Sequence, residues 1–414
     1  MIALKFEMIN SVLVFTFDNI GTMTLGAVLL LLGFWVKKRV PPLEKYCIPA
    51  PVVGGFIFVF INYLCYLSGA VTFKFDTTFM SAFMLAFFTT VGLGTSLKVL
   101  VTGGKLLVLY WVVNVGVTIL QTGIGVWFGP MVGLHAAYGI VSGPVALVGG
   151  HGGAAAYGQT LEGMGFPGAS LVGLTAATFG LVAASLIGGP LGRRLVVAHN
   201  LKPQEDDDFH IDTSGYEVTE ANKVEMDYSN TMKNITALLV CMTLGSVIVG
   251  WIGKMIGMAI PTYVGAMFFA VLVRNLNEKF HWYQYSMDFN EKLGDVSLGI
   301  YLSMALISVK LWELAGLALP LLVVLTVQTI VLCFLTYYLI FRIIGKNYDA
   351  AVMCSGLIGH DIGSTPTAVA NMTTIMEKYG HARKPLIIVP IVGAFLIDVF
   401  YQPFVIWCIN IYAK

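Results

Sequence analysis

Two stretches of this chain carry the residues best suited to binding chemistry. The first, YGIVSGPVALVGGHGGAAAYG from Tyr138 to Gly158, holds glycines at 139, 143, 149, 150, 152, 153 and 158, together with Ser142, Pro144 and His151, and has no Asp, Glu, Lys or Arg. Glycine lets the backbone turn tightly and approach a ligand closely. Gly149, Gly150, Gly152 and Gly153 around His151 therefore read as an opened tip whose free N–H groups suit a carboxylate. The competing reading is close packing of helices through small residues. Paired glycines on both sides of a histidine, with Pro144 nearby, fit a continuous helix poorly, so a binding tip is the better reading. His151 is carried as a site residue, although a hydrogen-bonded structural histidine is commoner than a titrating one, and Ser142 is carried with the tip.

The second stretch, CSGLIGHDIGSTPTAVANM from Cys354 to Met372, adds charge, hydroxyls and an amide: Asp361, Ser364, Thr365, Thr367 and Asn371 around Pro366. A proline cannot donate an N–H, and beside Ser and Thr it marks a helix break whose freed carbonyls can hold a cation. Asp361 sits in apolar surroundings, where an ionisable group is a functional candidate by default; the alternative places it as a solvated charge at the wet mouth of the stretch. Asp398, in GAFLIDVFYQPF, is either a Na⁺ ligand or proton site, or the partner of a helix-borne polar group. Asp361, Thr365, Asn371 and Asp398 are the candidate cation ligands. Gln121 and Gln328 read as residues that bond across helices.

The elements that must position these residues are membrane spans. Of the 414 residues 57% are hydrophobic and only 11% charged, with mean hydropathy +0.81, whereas a soluble domain runs to about a quarter charged. Apolar runs near the spanning length of about 20 residues cover roughly 16–36, 48–67, 79–97, 106–128 and 168–191. After the polar stretch 201–233, others follow at 234–252, 259–276, 293–312, 317–341 and 385–412. The expected fold is thus an all-α integral membrane protein of about ten transmembrane helices. Each half, 1–200 and 234–414, would contribute five spans and one re-entrant glycine-rich loop, near 138–158 and 354–372. Lys5 and Glu7 precede a long apolar run without a small-residue cleavage site, so the N-terminal run reads as a retained span. The cysteines, without CxxC or Cys/His spacing, read as buried small hydrophobes.

The halves resemble each other in order: IPAPVVGGFIF at Ile48 with IPTYVGAMFFA at Ile260, LQTG at Leu120 with VQTI at Val327, and GGHGG with IGHDI. Three matches in one register suggest internal duplication. With the N-terminus outside and re-entrant loops that do not cross, all of the 24 basic residues except Lys5, Lys74, Lys254, Lys310 and Lys414 fall inside, as short cytoplasmic loops prefer. Both termini then lie outside and the linker is cytoplasmic. Five is odd, so the repeats are inverted and their loops enter from opposite faces, which suits alternating access.

The motifs SGPVALVGGHGGAAAYG, VSLGIYLSMALISVKLWELA at Val296, GKNYDAAV at Gly345, STPTAVANM at Ser364 and PIVGAFLID at Pro390 resemble the bacterial sodium/glutamate symporter family over nearly the whole chain. The resemblance implies a secondary transporter of the inner membrane that couples glutamate uptake to Na⁺ and needs no other cofactor. It also implies two inverted five-span halves, and a homodimer, embedded in lipid, that moves a transport part against a fixed scaffold. The Gly149–Gly153 tip and Thr365, Pro366, Thr367 and Asn371 would form the shared substrate and sodium region, with Asp398 adjoining. One departure stands out: where the family's second loop commonly reads GFGLG, this chain has Gly359, His360, Asp361, Ile362 and Gly363. A carboxylate beside an anionic substrate repels it unless it holds a cation or is protonated. That leaves glutamate, a related dicarboxylate and a less acidic amino acid open as substrates.

Other classes fit less well. The chain lacks the GxGD and GxSG signatures of aspartyl and serine intramembrane proteases and the HExxH of zinc enzymes, so it is not expected to be an enzyme. Without a P-loop, ATP is not the energy source, and no Lys/Arg run forms a nucleic-acid face. A channel is harder to separate, but broken segments of opposite entry suit a transporter better.

Overall fold

The computed structural model describes residues 4–9, 12–45, 48–97, 104–203, 226–258, 260–314 and 316–413. In chain order these form strands β1 (Leu4–Ile9) and β2 (Val12–Phe17), helices α1 (Asn19–Lys37) and α2 (Ala50–Ser68), strand β3 (Val71–Phe75) and helix α3 (Thr78–Gly94). Next come α4 (Gly104–Met131), α5 (Ala136–Val145), α6 (Gly150–Gly163) and α7 (Ala169–Ala198). The later part holds α8 (Tyr228–Ile256), α9 (Thr262–Phe280), α10 (Met287–Ile307), α11 (Ala318–Ile344), α12 (Tyr348–Asp361), α13 (Thr365–Tyr379) and α14 (383–412). Each apolar run expected from the sequence contains a helix among the described residues. Six of them, α1, α2, α4, α7, α8 and α11, are long and apolar enough to cross a membrane by length and composition. Most of the polar linker expected over 201–233 lies outside the described residues, as does Cys47. Cys241, Cys354 and Cys408 are buried free thiols.

Local chemistry sets the helix ends. The Asp18 carboxylate accepts from the Gly21 N–H at 2.8 Å and starts α1, and Asp227 accepts from Asn230 at 2.7 Å to start α8, both satisfying donors that a helix start leaves free. Pro49 and Pro261, in the two stretches matched by sequence, sit before α2 and α9 with nearly the same backbone angles. Gly69 and Gly257 end α2 and α8 in the left-handed conformation that glycine adopts without strain.

The all-α expectation needs one correction. β1 pairs antiparallel with β2, and β2 pairs parallel with β3. These segments, LKFEMI, VLVFTF and VTFKF, are rich in aromatic and β-branched residues that favour a pleated surface. Phe15 stacks on Phe73, and Phe58 of α2 meets Phe73 and Phe75 edge-on. The apolar run expected as a span from residue 16 therefore begins as strand and turns helical at the Asp18 cap.

The chain forms two compact units, each drawn from both sequence halves. Unit 1 contains β1–β3, α1–α3 and α8–α10, while unit 2 contains α4–α7 and α11–α14. In unit 1, a methyl group on Gly33 would fall 1.9 Å from the Ala50 carbonyl oxygen, and one on Gly54 would fall 1.8 Å from that of Leu29. Backbone thus meets backbone between α1 and α2, as small residues permit in membrane helices. Unit 2 carries both glycine-rich stretches.

Candidate functional site

Each unusual stretch is a helical hairpin in unit 2. In the first, Gly143 leaves helical angles (φ −88°, ψ −125°) just before Pro144, within a π-turn over Val141–Val145. The chain then turns at Val148 and Gly149 and enters α6 at Gly150, whose φ of +61° suits only glycine well. In the second, α12 ends at Asp361, residues 362–364 turn, and the Ser364 hydroxyl caps α13 by accepting from the Thr367 N–H at 3.4 Å. Pro366 sits in the first turn of α13, where a missing N–H costs nothing.

Both turns converge on α7. A methyl group on Gly180 would fall 2.0 Å from the Ile362 carbonyl oxygen and 3.0 Å from Leu147 Cδ2, so one glycine meets the turn of the second hairpin and the residue just before the turn of the first. Further along, the Asn371 amide donates to the Ala184 carbonyl at 3.1 Å, and Ser355 Oγ donates to that of Gly188 at 3.0 Å. α7 is the spine on which α6, α12 and α13 are mounted.

The expected site residues divide among these contacts. Gly149 and Gly153 lie under the Tyr401 hydroxyl of α14: methyl groups there would fall 2.5 and 3.2 Å from it. Gly150, His151, Gly152 and Gly153 belong to the first turn of α6, so the opened tip is a turn earlier than the glycine pairs suggest. His151 Nε2 lies 3.0 Å from Thr178 Oγ1 of α7, a structural contact. Ser142 is buried, and its hydroxyl stays within its own helix, donating to Gly139. Ser364 Oγ and Thr367 Oγ1 are 2.9 Å apart, with Thr367 buried and Thr365 half-buried beside them.

Asp361 is fully buried, which removes the wet-mouth reading. Its Oδ1 lies 3.0 Å from His360 Nδ1, and this contact is the carboxylate's nearest polar partner among the described residues. His360 Nε2 is in turn 3.2 Å from the Tyr110 hydroxyl of α4. Asp398 lies elsewhere: it accepts from Gln402 Nε2 at 3.3 Å, and Gln402 accepts from the Tyr157 hydroxyl of α6. Among the described residues no hydrogen bond or ion pair joins Asp398 to Asp361, Thr365 or Asn371, and no cluster of three His, Cys, Asp or Glu side chains forms.

Two residues read from the sequence as helix-bridging groups are more central than expected. Gln121 does bridge, its Nε2 donating to the Asp361 carbonyl at 2.9 Å. Gln328 does not: it is 1% exposed, and neither atom of its amide has a partner. The signal that could have singled them out was the repeat itself, which aligns them. Tyr110 and Tyr401 had no such signal, lying in apolar runs where tyrosine is unremarked.

The whole of both hairpins falls inside a match to the family model for the sodium/glutamate symporter, which covers residues 15–381. The chain belongs to the sodium/glutamate symporter family. It is 35% identical over 387 residues to the sodium/glutamate symporter of Haemophilus influenzae, covering 93% of this chain and 95% of that protein. It is equally similar, at 35% over 386 residues, to the Escherichia coli sodium/glutamate symporter, covering 93% of this chain and 96% of that one. Membership makes this chain a transporter and not an enzyme.

Proposed function

We propose that this chain is a secondary transporter that carries glutamate into the cell with Na⁺ across a bacterial inner membrane, by alternating access. What carries the reading is one observation within a chain of this family: two helical hairpins, both broken, pack on the same residue, Gly180 of α7, through Ile362 and Leu147. Broken helices in paired positions are where secondary transporters hold substrate and coupling ion. In this reading the α-helical chain makes ten crossings as two inverted five-helix repeats, and the hairpins are re-entrant from opposite faces. Both termini are outside, the 201–233 linker is cytoplasmic, and the protein works as a homodimer in lipid. Unit 2, which bears both hairpins, is the transport part.

The substrate region comprises Ser142, Gly149–Gly153 with His151, and Asp361, Ser364, Thr365, Thr367 and Asn371; Na⁺ uses oxygens at Asp361, Thr365, Asn371 and Asp398. A second reading, Na⁺- or H⁺-coupled uptake of another small carboxylate, draws support from the buried His360–Asp361 contact, which alters the charge facing an anionic substrate. Uptake of labelled glutamate into proteoliposomes, with an inward Na⁺ gradient and with choline in its place, tests the first reading. Accumulation only with Na⁺ is expected, and accumulation independent of Na⁺ would exclude the coupling.

A further inference from the structure

The repeat-equivalent glutamines of α4 and α11 stand in matching places and differing states. Gln121 of α4 reaches the break in the second hairpin and is engaged there, its Nε2 on the Asp361 carbonyl. Gln328 of α11 faces the break in the first: a methyl group on Gly143 would lie 3.7 Å from Gln328 Oε1 and 3.2 Å from the Gln121 carbonyl oxygen. Each glutamine thus serves the hairpin of the other half. Only one has found its partner. Gln328 Oε1, Gln328 Nε2 and Gln121 Oε1 are all buried without a hydrogen bond.

Buried polar atoms are almost always paired, and an unpaired one calls for a partner that the protein alone does not supply. The break cannot supply it through its proline, because Pro144 has no N–H. What is missing beside Gln328 must satisfy a donor and an acceptor at once. A bare cation would pair with Oε1 and leave Nε2 stranded. A lone carboxylate would pair with Nε2 and leave Oε1 stranded. A group bearing an ammonium next to a carboxylate satisfies both.

We propose that Gln328 is the subsite that reads the α-ammonium and α-carboxylate of an amino-acid substrate at the Gly143–Pro144 break. This rests on the reading of the chain as an amino-acid symporter and assigns to α11 a specificity residue outside both glycine-rich stretches. The amide accepts from the ammonium through Oε1 and donates to a carboxylate oxygen through Nε2, so a dicarboxylate without an amino group leaves Oε1 unpaired and is rejected.

The test uses the full-length protein in proteoliposomes, measuring Na⁺-driven uptake of labelled glutamate and its inhibition by glutarate, which lacks the α-amino group. Gln328→Met keeps the side chain's length and removes both polar atoms. It is expected to raise KM for glutamate about tenfold or more, to narrow the preference for glutamate over glutarate by a similar factor, and to leave Na⁺ half-saturation within about twofold. Gln328→Glu, which keeps an acceptor but loses the Nε2 donor, is a second route should the first variant be poorly folded, and is expected to raise KM likewise. If a bound water satisfies Gln328, both variants will keep the wild-type KM and preference, and the proposal is overturned. A rise in Na⁺ half-saturation with preference intact would also overturn it, by assigning the amide to the cation. Absence of Na⁺-driven glutamate uptake by the wild type would instead remove the parent reading, and this proposal with it.

Discussion

Gln121 Nε2 donates to the main-chain carbonyl of Asp361 across 2.9 Å, so a side chain from the middle of one long helix holds the last residue of α12 at the point where the second hairpin breaks. A carbonyl at a helix end has no partner within its own helix. Here the neighbouring helix supplies one, and the turn that follows is set against α7.

Removing that donor should loosen the turn without touching any charge. Gln121→Leu is expected to lower stability in detergent by about 1–3 kcal/mol, the usual effect of leaving a buried carbonyl unsatisfied, and to lower the maximal uptake rate. Thermal unfolding followed by tryptophan fluorescence, beside uptake at saturating substrate, measures both. An unchanged unfolding temperature would mean that water replaces the amide.

Gly180 and Gly189 lie on the same helix but in different surroundings. A methyl group at Gly180 meets the Ile362 carbonyl oxygen at 2.0 Å, whereas one at Gly189 meets nothing within 4 Å. Gly180→Ala should therefore destabilise by roughly 1–3 kcal/mol through forced displacement of the second turn, while Gly189→Ala should be neutral or slightly stabilising, since alanine favours helix. Equal unfolding temperatures for the two variants would contradict the convergence of the hairpins on Gly180.

Much of this arrangement was legible in the sequence, because apolar run length and glycine content are local properties. Helices form where the runs lie, and the two unusual stretches became hairpins. The position of the first turn was not legible: residues 151–153 are buried and helical, with His151 against Thr178 of α7, despite the low helix propensity of glycine. Nor were the units, since each gathers elements from both halves of the chain. β2 was hidden because an apolar run of strand leading into helix reads as one span. Gln121 and Gln328 share one sequence signature, and only packing makes one engaged and the other free.

The His360–Asp361 contact separates this chain from the loop expected of its family. Removing one member of a buried polar pair leaves the other without its partner, at a cost of roughly 1–3 kcal/mol. His360→Phe alone should therefore be more destabilising than His360→Phe combined with Asp361→Gly, which restores the uncharged loop. Asp361→Gly should also shift the affinity for glutamate relative to other small carboxylates. Unfolding temperatures of the two single variants and the double variant, with competition uptake for each, test this. Additive losses and an unchanged substrate range would mean that the pair contributes neither stability nor selectivity.

Coupling between sodium and glutamate is reciprocal if both ride the same moving part, because each must then depend on the other's binding. The most direct measurement is entry of radioactive sodium into proteoliposomes that start with equal Na⁺ on both sides and an inward glutamate gradient. The account predicts that the glutamate gradient alone drives net sodium entry, and that a potassium-filled, glutamate-free control does not. Sodium entry at the same rate with and without glutamate would contradict it.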